Sequence, residues 1–296
     1  MQKVIGFIGL GNVGYPLAKN ILSSGYGLHV TDLESKKAKE LISSGAMWCN
    51  NAKQVTESSD IIITSLPSVK AVAEVAESEY GILQVQSEDK IWIDMSTSDS
   101  NEIIRLSKLA NKQGFRMLEA PVTGGVPLAH QGEITILVGG DKATYQEISP
   151  ILKSMGKKII HVGAIGTASV MKVITNLLAF NHLWALGEAM TLGNKSGIEN
   201  KILLDSILAS SGSSFVTETE GPKILDGTYD YGFTMALALK DLDLGSKLGQ
   251  RLNVPLEMTE NVREKFLEAI NTYGSEEWST KVVKLLEERT GTRLQS

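Results

Sequence analysis

The feature that most constrains the fold of this chain is a glycine-rich motif between an apolar run and a helical pattern. The segment GFIGLGNVGYPLAKN, residues 6–20, spaces three glycines as G-x-G-x-x-G directly after the run VIGFI. In a strand–turn–helix unit the first glycine permits the tight turn and the second lets the backbone approach a pyrophosphate. The third lets the helix pack closely on the strand, and the helix N-terminus faces the anion. The motif predicts a dinucleotide site at Gly9, Leu10, Gly11, Asn12, Val13 and Gly14.

An acidic residue at the end of the second predicted strand supports this interpretation. Asp32 lies 18 residues after Gly14, where a carboxylate can accept hydrogen bonds from the adenosine ribose and repel a 2′-phosphate. The sequence therefore predicts NAD as the cofactor, with NADP less favoured. The alternative is an ordinary cluster of turn glycines followed by a capping aspartate.

The order of apolar and amphipathic segments predicts two different domains. Short apolar runs alternate with helical segments up to about residue 163, which is typical of a largely parallel sheet covered on both faces. The predicted strands are Val4–Ile8, Leu28–Thr31, Ile61–Ser65, Ile91–Asp94, Met117–Glu119, Ile134–Val138 and Lys158–Val162. We therefore expect an α/β Rossmann domain over residues 1–163 and an all-helical domain over residues 164–296.

Helical periodicity dominates the second half of the chain. The predicted helices are separated by breaks at Gly197, Gly212, Gly221-Pro222, Gly232 and Pro255. One long helix over Thr167–Gly193 is apolar on most sides, so we expect it to be buried in the protein or against a second subunit. Its apolar surface predicts a homodimer or homotetramer with the helical domains in the interface.

Composition excludes several classes of partner. The chain has 296 residues and a net charge of −5, and no segment concentrates lysine and arginine. Nucleic acids and anionic membranes are therefore not expected as partners. Cys49 is the single cysteine and the four histidines show no ligand spacing, which predicts no metal site and a reducing, cytoplasmic environment. No apolar run reaches the roughly 18 residues of a membrane span.

Two later segments place hydroxyl groups and glycines after predicted strands. DMSTSDS, residues 94–100, brings Ser96 to the expected ligand edge of the sheet, although Ser98 or Asp99 of the same segment would also serve as a helix N-cap. APVTGG places Thr123, Gly124 and Gly125 in a loop whose backbone N–H groups and hydroxyl can bind a carboxylate. An ordinary turn would produce the same residues.

The predicted long helix carries a lysine and an asparagine on one face. Lys172 and Asn176 are four residues apart, one turn of a helix. A lysine in so apolar a helix is unfavourable unless it is paired or faces a cavity. The alternative is a lysine whose ammonium extends to the surface.

Taken together, these motifs make the chain similar to the β-hydroxyacid dehydrogenases, which include 3-hydroxyisobutyrate dehydrogenases and tartronate semialdehyde reductases. The resemblance covers essentially the whole chain and follows the order of the family's motifs. They are GFIGLGNVG, SLPS, DMST, APVTGG with GEITILVGG, the Lys172–Asn176 helix, and FTMALALKDLDL at residues 233–244.

The resemblance implies hydride transfer between a nicotinamide cofactor and the β-hydroxyl carbon of a short carboxylic acid. Lys172 would be the general acid/base, which needs a pKa lowered towards the working pH. Asn176 would hold the substrate oxygen or orient the lysine. The carboxylate would bind at Thr123, Gly124 and Gly125, and Ser96 would contact the substrate. Leu66, Pro67 and Ser96 would line the nicotinamide end, and Lys240 would close over the cofactor.

Two alternatives remain at this stage. A reductase of small aldehyde acids such as tartronate or succinic semialdehyde would use much the same residues in the opposite direction. A non-catalytic NAD(H)-binding module would keep the glycine motif but would have no need of Lys172, Asn176 and Lys240 together.

Overall fold

The apolar runs of the first half become strands of one sheet in the computed structural model, which describes residues 3–295. Two further short strands, at residues 47–48 and 122–123, are not predicted by the sequence pattern. The nine strands of this region are β1 Val4–Ile8, β2 Gly27–Thr31, β3 Met47–Trp48, β4 Ile61–Thr64, β5 Ile91–Asp94, β6 Arg116–Glu119, β7 Val122–Thr123, β8 Ile134–Gly139 and β9 Gly156–Gly163.

The strand order places a ligand edge beside the glycine motif. Strands β3-β2-β1-β4-β5-β6 are parallel neighbours in that order, whereas β8 is antiparallel to β6 and β7 and parallel to β9. The order reverses between β1 and β4, because the chain runs outward from β1 to β3 and then returns. Ligands of such sheets bind at the carboxyl ends of the strands beside this reversal.

Seven helices cover the sheet within the first half. They are α1 Gly14–Ser23, α2 Lys39–Ser43, α3 Ala52–Glu57, α4 Val69–Glu77, α5 Ser100–Lys112, α6 Gly125–Gln131 and α7 Lys142–Met155. Polar side chains accept hydrogen bonds from the first turns of four of them, as N-caps do. These caps are Asn51, Ser68, Asp99 and Asp141.

The central strands are apolar throughout because both faces of the sheet are covered. In β4 and β5, Ile63 and Ile93 pack in one apolar cluster with Phe7, whereas Ile62 and Trp92 pack in a second cluster. Alternate residues of a strand point to opposite faces, so continuous apolar runs are what a parallel sheet between two helical layers requires.

The second half of the chain is helical. Its helices are α8 Thr167–Lys195, α9 Asn200–Leu208, α10 Phe215–Leu225, α11 Met235–Leu252, α12 Glu257–Tyr273 and α13 Lys284–Thr290. Phe180, Phe266 and Met235 belong to its apolar core. The compact unit that contains the sheet extends to Lys172, and Val173 begins the second unit.

The predicted helix break at Gly221-Pro222 is wrong, since α10 continues through both residues. A Cβ at Gly221 would lie 2.7 Å from Leu204 Cδ1. The glycine therefore allows α10 to pack closely on α9. In the sequence alone, this Gly-Pro pair looks like a turn, because the helix packing that requires the glycine is tertiary.

Candidate functional site

Two glycines of the motif are required by the packing of the protein itself. Gly9 follows β1 with a φ of 97°, and a Cβ there would lie 2.3 Å from the carbonyl oxygen of Ser65. A Cβ on Gly14, the first residue of α1, would lie 2.0 Å from the carbonyl oxygen of Gly9. Both positions exclude larger side chains because strand, loop and helix approach one another closely there.

Gly11 differs, because packing does not require it. A Cβ at this exposed position would meet no atom of the described chain within 4 Å. Within residues 3–295, the N-cap residue Val13 makes no side-chain hydrogen bond to the first turn of α1, and an anion at a helix N-terminus can accept from such N–H groups. The open approach to the Gly11 backbone fits a pyrophosphate, with exposed Asn12 beside it and Leu10 buried beneath.

Asp32 ties the end of β2 to the glycine motif. Its Oδ2 accepts a hydrogen bond from the backbone N–H of Leu10 at 2.6 Å, and its Oδ1 accepts one from the N–H of Glu34 at 2.9 Å. The Lys37 ammonium lies 3.4 Å from the same Oδ1. The carboxylate therefore lies where the sequence predicts it, and it also orients the loop.

A buried network joins the loops that follow β4 and β5. The Ser96 hydroxyl accepts a hydrogen bond from the backbone N–H of Leu66 at 2.9 Å and donates one to Asp94 Oδ1 at 2.7 Å. The Thr64 hydroxyl donates to the same oxygen at 2.7 Å. Ser96 therefore holds the Leu66–Pro67 loop in place, and the helix N-cap in this segment is Asp99.

Asp94 is a buried residue of this network that the sequence analysis did not single out. Burial raises the pKa of its carboxyl to about 6, against the hydrogen bonds from Ser96 and Thr64, and Glu119 on the neighbouring strand raises it further. Its second oxygen, Oδ2, has no hydrogen-bond partner among residues 3–295. The sequence does contain a signal for Asp94, because it is a charged residue at the end of the otherwise apolar strand IWID.

Glu119 caps the N-terminus of α8. Its carboxylate accepts hydrogen bonds from the backbone N–H groups of Gly166, Ala168 and Ser169 and from the Ser169 hydroxyl. Burial raises the pKa of Glu119, and these donors oppose the rise by favouring the charged form. The cap fixes where the helix that carries Lys172 begins.

The predicted loop at Thr123, Gly124 and Gly125 is only partly a loop. Thr123 ends the short strand β7, Gly125 begins α6, and Gly124 is the residue between them. Gly124 and Gly125 have φ values of 124° and 84°, which favour glycine. The loop prediction is therefore wrong for Thr123, because antiparallel pairing with β8 orders Val122 and Thr123.

Lys172 and Asn176 lie one turn apart in α8, as predicted. Each is buried, with 9% of its surface exposed, so the interpretation of Lys172 as an extended surface lysine is wrong. Within the second unit, the Asn176 side-chain amide donates to Asp241 Oδ2 at 2.5 Å.

Asp241 joins Asn176 to Lys240 in the second unit. It is 1% exposed, and the Lys240 ammonium lies 3.0 Å from its Oδ1. Asp241 was not singled out from the sequence, although it directly follows Lys240 in the motif KDLDL. A buried carboxylate paired in this way fixes the orientation of both neighbours.

The structure thus assembles most of the predicted cofactor residues within the first unit. Gly9 donates its N–H to the Thr31 carbonyl at 3.0 Å, Asp32 holds Leu10, and Ser96 holds Leu66. No group of three or more metal-ligating side chains is found between residues 3 and 295. None of the helices in that range is long and apolar enough to cross a membrane.

Family models match both halves of the chain. Residues 4–163 match the NAD binding domain of 6-phosphogluconate dehydrogenase. Residues 166–286 match the NAD-binding model of NADP-dependent 3-hydroxyisobutyrate dehydrogenase.

Individual proteins are similar over nearly the full length. The 2-(hydroxymethyl)glutarate dehydrogenase of Eubacterium barkeri is 36% identical, covering 97% of this chain and 96% of its own. The 2-hydroxy-3-oxopropionate reductase of Escherichia coli is 34% identical, covering 96% and 97%. A solved structure of Mycobacterium tuberculosis 3-hydroxyisobutyrate dehydrogenase with L-serine has a TM-score of 0.88 at 26% identity, covering 97% of this chain and 99% of that one.

Proposed function

This chain belongs to the β-hydroxyacid dehydrogenase family, and we propose that it oxidises a short acid of the 3-hydroxyisobutyrate type with NAD, using Lys172 as general acid/base. The observation that carries this proposal is the burial of Lys172 in α8, one turn before Asn176. Burial of a lysine in so apolar a helix is unfavourable unless its ammonium is paired or faces a cavity, and a substrate site provides such a cavity. The bound nicotinamide supplies the hydride acceptor.

Lys172 would move the proton of the substrate hydroxyl. As a free amine its Nζ accepts that proton during oxidation, and as an ammonium it returns the proton to the forming alkoxide during reduction. A positioned proton donor or acceptor of this kind contributes about 10²- to 10⁴-fold to the rate. Asn176, oriented by Asp241, would hold the same substrate oxygen.

The names of the relatives indicate a common substrate core. 2-(Hydroxymethyl)glutarate and 3-hydroxyisobutyrate both carry a hydroxymethyl group on the carbon next to a carboxylate. 2-Hydroxy-3-oxopropionate carries an aldehyde at the same place. We therefore assign HOCH₂–CH(R)–COO⁻ as the substrate class, with the carboxylate bound at Thr123, Gly124 and Gly125.

NAD preference is proposed from Asp32. A 2′-phosphate brings a charge of roughly −2 beside this carboxylate and is disfavoured by like-charge repulsion. The ribose hydroxyls of NAD would instead donate to it. The family model that matches residues 166–286 is named for an NADP-dependent enzyme, so the cofactor preference is measured directly in the assay below.

A homodimer or homotetramer is proposed from an exposed apolar stripe on α8. Ile174, Leu178 and Leu192 are exposed, and helical geometry puts them with Ala185 within about 40° around the axis. Exposed apolar stripes of this length mark association surfaces.

We also propose a cytoplasmic location, consistent with the single free Cys49. The proposed domains are a cofactor domain, residues 1–163, and a substrate and oligomerisation domain, residues 164–296.

The decisive experiment measures NAD and NADP reduction with 3-hydroxyisobutyrate, glycerate, 4-hydroxybutyrate, serine and 3-hydroxypropionate, for the wild type and Lys172→Ala. We expect NAD-dependent activity with one or more hydroxymethyl acids and a loss of about 10²- to 10⁴-fold in kcat for the variant, with NADH binding retained. Lys195→Ala, an exposed lysine at the end of the same helix, is the matched control and keeps full activity.

The same assay separates the alternatives. Faster turnover of tartronate or succinic semialdehyde with NADH than of any hydroxy acid with NAD favours the aldehyde-acid reductase, which the Escherichia coli relative supports. Tight NADH binding with no turnover in either direction would contradict the enzymatic proposal. Full activity of Lys172→Ala would remove this lysine from the mechanism.

A further inference from the structure

A group of charged side chains lies directly after β2, beside the proposed adenosine end of the cofactor site. The 3₁₀ turn Ser35–Ala38 brings the Lys37 ammonium back towards Asp32, so that it lies 3.4 Å from Asp32 Oδ1 and 2.9 Å from Glu34 Oε1. The Lys36 ammonium lies 2.7 Å from Glu34 Oε2, which is its ion pair among residues 3–295. Both carboxylates at this strand end therefore have a lysine ammonium beside them, and the one beside Asp32 belongs to Lys37.

The two lysines have different surroundings. The Lys36 side chain is 80% exposed, whereas that of Lys37 is 37% exposed and that of Asp32 is 10% exposed. Hydrogen bonds from the two lysines lower the pKa of Glu34 to about 2, and Glu34 in turn raises the pKa of Lys37. Lys37 is therefore a cation that contacts both Asp32 and Glu34.

The Lys37 ammonium changes how strongly Asp32 would repel the 2′-phosphate that distinguishes NADP from NAD. Alone, an aspartate at the end of β2 repels the 2′-phosphate of NADP. A lysine ammonium within hydrogen-bond reach of the aspartate offsets part of that charge, and it can also pair with phosphate oxygens. Glu34 opposes this second role, because it keeps Lys37 engaged and adds its own negative charge.

We propose that Lys37 sets how strongly this chain discriminates against NADP, and that Glu34 limits the accommodation of a 2′-phosphate by Lys37. NAD binding depends little on either residue, since its ribose hydroxyls carry no charge. The inference rests on the proposed NAD preference but concerns different residues. The discrimination is the ratio of the dissociation constant for NADPH to that for NADH.

The test is equilibrium binding of NADH and NADPH, followed by fluorescence in the absence of substrate, for the wild type, Lys37→Gln, Lys36→Gln and Glu34→Gln. We expect Lys37→Gln to raise the ratio by roughly 5- to 10-fold through weaker NADPH binding, and Glu34→Gln to lower it by a similar factor. Lys36→Gln removes the same charge one residue away and changes the ratio less than about 3-fold. Thermal denaturation of each variant checks that the fold is retained.

Each outcome has a defined meaning. A ratio for Lys37→Gln that equals that of Lys36→Gln, or falls below the wild-type ratio, overturns the inference, because net charge rather than this contact then governs binding. An unchanged ratio for Glu34→Gln overturns the role assigned to Glu34. The wild-type ratio alone decides the proposed NAD preference, so that proposal and this one fail independently. Rising salt concentration weakens the Lys37 effect if it is electrostatic.

Discussion

Gly9, Gly11 and Gly14 belong to one motif, but packing within the protein excludes a side chain at only two of these positions. At Gly9 and Gly14 any side chain would collide with backbone, whereas at Gly11 it would meet no atom of the described chain. The first two are therefore required by the fold, and the proposed pyrophosphate contact is the reason we infer for the third. A motif that looks uniform in the sequence thus separates into two physical roles.

We therefore expect alanine to weaken cofactor binding at Gly11 and to lower the stability of the fold at Gly9. Gly11→Ala leaves the melting temperature within experimental error and weakens NADH binding at least about 10-fold, because the methyl group lies where the backbone must approach the pyrophosphate. Gly9→Ala lowers the stability instead, since φ is positive and the Ser65 carbonyl is too close. Wild-type NADH affinity in Gly11→Ala, measured by fluorescence titration, would contradict the assignment.

Ser96 and Ser98 allow a matched comparison of two buried hydroxyls. Ser96→Ala removes the acceptor of the Leu66 N–H and a donor to Asp94, so we expect a loss of about 1–3 kcal/mol in the free energy of unfolding and weaker cofactor binding. The Ser98 hydroxyl is buried and has no hydrogen-bond partner among residues 3–295, so Ser98→Ala should be neutral or stabilising. Urea denaturation of both variants checks this, and equal losses would rule out the network as the cause.

At the scale of elements, buried carboxylates determine how helices are attached. Glu119 at the end of β6 caps α8, and Glu220 in α10 accepts a hydrogen bond from Thr280 beyond α12. Burial raises the pKa of Glu220 to about 7. The folded protein therefore binds the Glu220 proton more tightly than the unfolded chain does.

The raised pKa of Glu220 predicts that the free energy of unfolding declines as the pH rises. A raised carboxyl pKa means that the folded state binds more protons between about pH 4.5 and 7, so the free energy of unfolding falls across that window, by at most about 3 kcal/mol. Glu220→Gln should remove this contribution and become more stable relative to the wild type at pH 8 than at pH 5. Glu218→Gln, exposed on the same helix, is the control, and parallel pH profiles for all three proteins would contradict the prediction.

At the scale of the whole molecule, the chain divides into a sheet-containing unit and a helical unit. The helical unit has a well-packed core around Phe180 and Phe266, yet it leaves apolar residues of α8 exposed. A helix buried on one side and apolar on the other is typical of a subunit interface. The proposed homo-oligomer is therefore tested at these exposed residues of α8.

The stripe predicts that charge on α8 dissociates the oligomer. The wild type should sediment at two or four times 32.0 kDa at micromolar concentration, and Leu178→Glu or Leu192→Glu should shift it towards the monomer. Leu252→Glu makes the same change at an exposed leucine of α11 and should leave the oligomer intact. A wild-type protein that sediments only at 32.0 kDa would exclude the proposal.

The sequence by itself determined the features that depend on neighbouring residues. The apolar runs of β1, β4 and β5, the glycine motif, and the one-turn spacing of Lys172 and Asn176 all follow from local periodicity and backbone conformation. The family resemblance also rests on such ordered local motifs. Short strands such as β3 escaped prediction, because two residues carry no period and their pairing depends on the adjacent strand.

Only the tertiary structure decided which distant residues hold the candidate site together. The bonds from Leu66 to Ser96, from Gly166 to Glu119 and from Asn176 to Asp241 join residues 30, 47 and 65 positions apart. Their partners are chosen by strand order and helix packing, which no local pattern in the sequence encodes. Burial of Lys172 belongs to the same class, because the rest of the fold, and not the composition of α8, decides which face of that helix is covered.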